Sequence, residues 1–138
     1  MADNPTLTAQ VVSPEDVLYE GTAEMVVSRT SDGDIAFLPG HMPFLGALGI
    51  AKVRVILPGT DEAVIAVHGG FVEVRNDRVL ILSDVAELPD QIDVPRAERA
   101  RDQARARLDA EPADEGAAEA LRRAELRLEV AGVTTPSA

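Results

Sequence analysis

Residues 86–97 read AELPDQIDVPRA, and the chain changes character across them. Upstream, short apolar runs are broken by glycine and proline. Downstream, alanine, arginine, glutamate and leucine dominate, and no glycine occurs between this stretch and Gly116. Pro89 and Asp90 are stop signals for a strand, because proline lacks the N–H that a ladder requires. Asp93 is placed to cap a helix, with Pro95 in the first turn, where no intrahelical bond is lost. The stretch therefore predicts a β-domain over 1–88 and a helix–turn–helix domain over 89–138. A junction of this kind lets a helical hairpin lie on a β-domain or leave it.

Upstream of the junction the period is two. Leu7, Ala9 and Val11 alternate with Thr8, Gln10 and Val12, as in a strand with one buried face. Further strands are predicted at 17–20, closed by Gly21, at 25–29 and at 35–38. Two runs, 44–48 and 51–57, flank Gly49, and two more, 62–68 and 71–74, flank Gly69-Gly70. A last strand is predicted at 79–85, after the tight-turn dipeptide Asn76-Asp77. Ser13-Pro14-Glu15-Asp16 and Pro58-Gly59-Thr60-Asp61 read as turns, and Pro39-Gly40-His41-Met42-Pro43 as a loop. Many short strands without a helical period predict an antiparallel β-sandwich.

Downstream the period is 3.6. A helix over 94–110, roughly 25 Å long, places Ala97, Ala100, Ala104 and Leu108 on one face. After the turn Glu111-Pro112-Ala113-Asp114-Glu115-Gly116, a second helix over 117–130 aligns Ala117, Leu121, Ala124 and Leu128. Gly132 suits a C-cap, and the segment 133–138 reads as a frayed tail. Short connections favour an antiparallel hairpin. Its seam is mostly alanine, which forms helix readily but buries little apolar area. Such helices form easily and dock weakly.

Composition bounds the function. The chain has 138 residues, 46% of them hydrophobic and 27% charged, which suits a soluble globular protein. It has no cysteine, so disulfides and zinc–thiolate sites are ruled out. The N-terminus MADNPTLTAQ shows no secretory signal. The longest stretch without a formal charge, residues 35–51, contains two prolines and three glycines and cannot be a spanning helix. No direct membrane insertion is expected. A net charge of −11 argues against nucleic-acid binding. Residues 1–92 carry 14 acids against 5 bases, whereas 93–138 carry 10 against 8, so arginine concentrates in the helices. No catalytic constellation or phosphate-loop motif is present. His41 and His68 fall in separate β-connections, His68 reads as structural, and Asp84 with Glu87 makes no convincing carboxylate pair.

Three motifs rise above this background: GDIAFLPGHMPFL at 33–45, GGFVEV at 69–74 and IDVPRA at 92–97. Together and in this order they closely resemble the epsilon subunit of the bacterial F-type ATP synthase, over nearly the whole chain. The resemblance implies a β-sandwich followed by a helical hairpin, in a non-catalytic central-stalk subunit. Such a subunit binds gamma and the c-ring, couples proton translocation to rotary ATP synthesis, and sits peripherally at the cytoplasmic face of the cell membrane. Its extended hairpin reaches the alpha and beta subunits and inhibits ATP hydrolysis. Asp34 and His41 fall where the family's β-domain touches its stalk partners. No cofactor is required, but ATP is implied as a regulatory ligand at Glu87, Ile92, Asp93, Arg96, Arg123 and Arg127. Gln103 departs from the pattern, since nucleotide binders carry a further basic residue there. On the residues alone, Asp93 reads first as a helix cap, and the arginines as solvated or paired with glutamate. A stand-alone nucleotide sensor with a mobile hairpin, or a β-sandwich adaptor with a helical tail, also stays open at this point.

Overall fold

The computed structural model describes residues 5–59 and 61–132, so Thr60 and the expected tail at 133–138 lie outside the described residues. The chain divides into two compact units, Met1–Glu87 and Leu88–Ala138.

The first unit is built from eight strands: β1 (Leu7–Val12), β2 (Val17–Ala23), β3 (Met25–Thr30), β4 (Gly33–Phe37), β5 (Phe44–Ile56), β6 (Glu62–Arg75), β7 (Arg78–Leu82) and β8 (Ala86–Glu87). They hydrogen-bond in the order β2-β1-β7-β6-β5-β3-β4, with β8 added to β6. The sheet doubles over into a sandwich. Its interior is aliphatic: Leu7, Ala9 and Val11 from β1 meet Val26, Val53, Val55, Ile65, Val72 and Ile81, all buried, with Phe37 the bulkiest of the core. Nearly all pairings are antiparallel, as expected, but β1 runs parallel to β7, with Thr8 opposite Arg78 and Val12 opposite Leu82.

The glycines act differently from the sequence expectation. Gly21 does not close β2, which continues to Ala23 with Gly21 opposite Ala9. Gly49 does not divide β5, nor Gly69-Gly70 β6; these are continuous strands of 13 and 14 residues, paired along most of their length. A flanking ladder outweighs a glycine's weak strand preference when both neighbours are already in register. The two halves of β6 nevertheless have different outer partners. Residues 66–67 pair with β8 and residues 71–75 with β7. Between them Gly69 and Gly70 take φ of +81° and +124°. A Cβ on Gly70 would lie 2.1 Å from the Leu82 carbonyl oxygen. Only glycine passes that point. Asn76 and Asp77 at φ 53° and 58° make the expected two-residue turn, closed by Arg75 opposite Arg78.

β7 ends at Leu82, three residues earlier than the pattern suggested, and β8 follows after Ser83-Asp84-Val85. The Ser83 hydroxyl donates to the Val85 carbonyl (2.9 Å), which turns the chain back toward β6.

The second unit opens with a single 3-10 turn, Pro89–Gln91. Helices α1 (Val94–Ala110) and α2 (Glu115–Val130) follow and form a hairpin. Asp93 caps α1, its carboxylate accepting from the Arg96 amide at 3.1 Å. Asp114 caps α2 in the same way, accepting from the Ala117 amide at 2.9 Å. Gly132 follows the last turn at φ +81°, its amide bonded to the Glu129 carbonyl. Ala97, Ala104, Ala117 and Ala124 are buried as expected, whereas Leu108 and Leu121 are half-buried. α2 also buries Leu126, Leu128 and Val130. Large aliphatic side chains of this kind contribute about 1.5–3 kcal/mol each when fully buried, so α2 is held more firmly than an alanine seam suggests.

Replacing Gly70 by alanine is expected to destabilise the β-unit by roughly 3 kcal/mol or more, through backbone strain added to overlap with Leu82. Gly49→Ala, with open space around the new methyl group, should change stability by less than about 0.5 kcal/mol. Urea unfolding of the two variants checks the contrast.

Candidate functional site

Asp34 sits on β4 directly opposite Arg29 of β3. Register makes them neighbours, and the Arg29 guanidinium donates to the Asp34 carboxylate at 2.8 Å. That hydrogen bond, aided by the positive charges of Arg29 and Lys52, holds the Asp34 carboxyl below its ordinary range. Asp34 thus presents an exposed ion pair at the hairpin edge.

His41 lies in the loop after β4. Its ring meets Phe37 edge-on at 5.1 Å and Phe44 at 6.3 Å between centroids, and its Nδ1 donates to the Met42 carbonyl at 2.7 Å. Two prolines, Pro39 and Pro43, restrict the loop locally. A stronger anchor comes from far along the chain. The Asp77 carboxylate, in the β6–β7 turn, accepts from the Gly40 amide at 2.6 Å. Leu38 and Met42 flank His41 and are exposed.

A second feature appears only when register is known. On the outer face of the sheet, Ala47 of β5 lies opposite Phe71 of β6, Phe71 opposite Leu82 of β7, Leu82 opposite Val12 of β1, and Val12 opposite Val17 of β2. One apolar row crosses five strands. Val17, Phe71 and Leu82 are 51%, 58% and 48% exposed, and Leu45 beyond the row is 71% exposed. A cavity of about 320 Å³ opens beside Phe71 and Leu82, with Ser13, Pro14 and Asp84 in its wall. Such a patch on a small domain marks a candidate binding surface. The alternation within each strand hides it, but counting outward from the two-residue turn at Asn76-Asp77 makes Phe71 and Leu82 partners.

The residues implied in nucleotide binding are placed as follows. Glu87 is on β8, where its carboxylate oxygen lies 2.9 Å from the His68 Nε2. Ile92 is buried ahead of α1, Asp93 is the cap, and Arg96 is exposed in the first turn. Arg123 and Arg127 stand one turn apart on α2, and Arg123 pairs with Glu119. The antiparallel hairpin brings the first turn of α1 and the last turns of α2 to one end. Gln103 is exposed midway along α1. Asp93, Glu87 and Arg123 already have partners within the protein, with the Asp93 cap the clearest case. Among the described residues no cluster of histidine, cysteine or carboxylates could hold a metal ion, and no helix is long and apolar enough to cross a membrane.

Comparison with known proteins decides the family. Residues 6–89 match the family described as ATP synthase, Delta/Epsilon chain, beta-sandwich domain. The chain belongs to the ATP synthase epsilon-chain family. An epsilon chain of Halalkalibacterium halodurans is 46% identical over 132 residues, covering 93% of this chain and 98% of that one. An epsilon chain of Brevibacillus brevis is 50% identical over 102 residues, covering 74% and 77%. The fold also matches a chain in the cryo-EM structure of the Euglena gracilis mitochondrial ATP synthase, OSCP/F1/c-ring in rotational state 1, with a TM-score of 0.69 at 21% identity over 96% of this chain and 81% of that one. The expected β-sandwich with a C-terminal hairpin and the resemblance to epsilon subunits are both borne out. As an epsilon chain of an F-type ATP synthase it is a non-catalytic stalk subunit.

Asp34 and the Asp114 cap carry a pH dependence. Asp114 is held below its ordinary value chiefly by the Ala117 amide, with Arg107 adding to it (3.1 Å). A carboxyl depressed in the folded state adds stability above its unfolded value, near 3.9 for aspartate, and loses it as pH falls through the folded value. Titration followed by carboxyl carbon NMR should place Asp34 and Asp114 below the ordinary aspartate value. Replacing Arg29 by glutamine should move Asp34 upward and leave Asp114 in place.

Proposed function

We propose that this epsilon chain docks on the gamma subunit through the apolar row Val17–Val12–Leu82–Phe71–Ala47, presents Asp34 and the His41 loop to the c-ring, and in this way helps couple proton translocation to rotary ATP synthesis. The observation that carries the reading is the row itself. A β-unit of this size has no internal reason to leave Phe71 and Leu82 in water, and burying them against a partner is favourable by about 25 cal/mol per Å². The cavity beside them offers a seat for an apolar side chain of the partner. The Arg29–Asp34 pair and the ring-packed His41 present a firm polar edge suited to the loops of a rotating ring. In this reading the chain sits peripherally at the cytoplasmic face of the cell membrane, held there by its complex.

Regulation falls to the second unit. The extended hairpin, with eight of the chain's 13 basic residues, reaches acidic surfaces of the alpha and beta subunits and slows ATP hydrolysis. ATP serves as the regulatory ligand, with Glu87, Asp93, Arg96, Arg123 and Arg127 as its contacts and Ile92 as an apolar wall. A ligand that binds only one position of the hairpin shifts the population by its differential affinity.

The docking reading is tested by Phe71→Asp and Leu82→Asp. Both positions are exposed, so folding should be retained by circular dichroism. Central anchors of an interface cost 2 kcal/mol or more when lost, so the tagged variants should recover little gamma or c-ring protein from detergent-solubilised membranes. Recovery equal to the unmodified chain would remove the row from the interface.

Deleting residues after Leu88 tests the regulatory reading. The remaining β-unit should unfold cooperatively and still enter the complex, and that complex should hydrolyse ATP faster than the intact one. Equal rates would mean that the hairpin does not inhibit.

A further inference from the structure

We infer that His68 is the positioning residue that sets how strongly a nucleotide can use Glu87. The inference rests on the regulatory ATP reading above and adds to it a residue that no motif marks. The His68 side chain is 1% exposed, and its Nε2 lies 2.9 Å from the Glu87 carboxylate. An ionised carboxylate only accepts, so Nε2 carries the hydrogen. Both partners are fixed by backbone. The His68 amide donates to the Val85 carbonyl at 3.0 Å, and Glu87 is held by the β8–β6 pairing opposite Ala66. The two side chains therefore start from neighbouring strand positions, and burial holds the imidazole in place. Glu87 retains a 23% exposed side chain, so a ligand can reach it.

A carboxylate repels phosphate and can meet only a donor of the nucleotide, an amino group of the base or a hydroxyl of the ribose. That donor competes with the imidazole N–H for Glu87. Binding must share or displace a hydrogen bond to a charged acceptor in a part-buried site, which is among the stronger single interactions. His68 thereby lowers the affinity for ATP, and the closed and open positions of the hairpin become sensitive to a residue buried in the β-unit.

The test is calorimetry of the full chain with ATP, in a cycle of His68→Ser, Glu87→Ala and the double variant. Serine at position 68 is too short to reach Glu87, so affinity should rise roughly tenfold. On the Glu87→Ala background the same substitution should change nothing. A general effect of His68 on folding would persist there, and its persistence would overturn the inference. His68→Asn serves as the second variant if serine disturbs the strand. Measurable ATP binding of equal strength in the unmodified chain and in both His68 variants would overturn the role of His68 and leave the nucleotide reading standing. Absence of binding in every variant would overturn both. Binding in the His68 variants alone would establish that the histidine silences the site.

Discussion

The β-unit turns on one close approach, that of Gly70 to the Leu82 carbonyl. β6 is the strand that nearly everything else touches: β5 along its length, β7 on its second half and β8 on its first. A single straight strand cannot serve two layers. The left-handed residues at Gly69 and Gly70 redirect it, and the missing side chain lets it pass the end of β7 at a distance no Cβ would tolerate. The position of β8 follows from that passage, and with it the point where the first unit ends. The placement of Phe71 on the outer face follows as well.

Function in this chain is a matter of surfaces. The described residues bring together no nucleophile with a base, and family membership makes the chain a stalk subunit with the chemistry elsewhere. What the fold supplies instead is a firm platform. Arg29 and Asp34 are locked by register, His41 by two aromatic rings, and the loop around Gly40 by Asp77. The apolar row is continuous because it is built from facing strand positions.

Much of this was legible beforehand, because the signals involved are local. Alternation located β1, and breaker chemistry located the Asn76-Asp77 turn. Asp93 with Pro95 located the start of α1 to the residue, and three motifs located the family. The failures share a different cause. Gly21, Gly49 and Gly69-Gly70 look like breaks when read singly, but strand continuity is decided by the neighbouring strand. Asp77 and Gly40 are 37 positions apart, and His68 and Glu87 are 19 apart; nothing local announces either bond. Asp114 was an ordinary turn residue in the sequence, although aspartate three residues before Ala117 matches the capping pattern already used for Asp93. The apolar row needed register, which the two-residue turn would have supplied for Phe71 and Leu82 but not for β1 or β2.

The parallel pairing of β1 with β7 has a consequence for how the chain is made. Thr8 finds its place beside Arg78, seventy residues later. A strand synthesised among the first has no partner on one side until almost the whole β-unit has left the ribosome. Contacts so distant in sequence are paid for in loop entropy and form slowly. β1 and β2 can pair as a hairpin in the meantime, but a lone hairpin is at best marginally stable in water. The helical unit has the opposite character, since each of its helices closes through bonds four residues apart. During synthesis the last-made part of the molecule therefore has the quickest route to structure, and the first-made strand waits for β7 before the sheet can close around it.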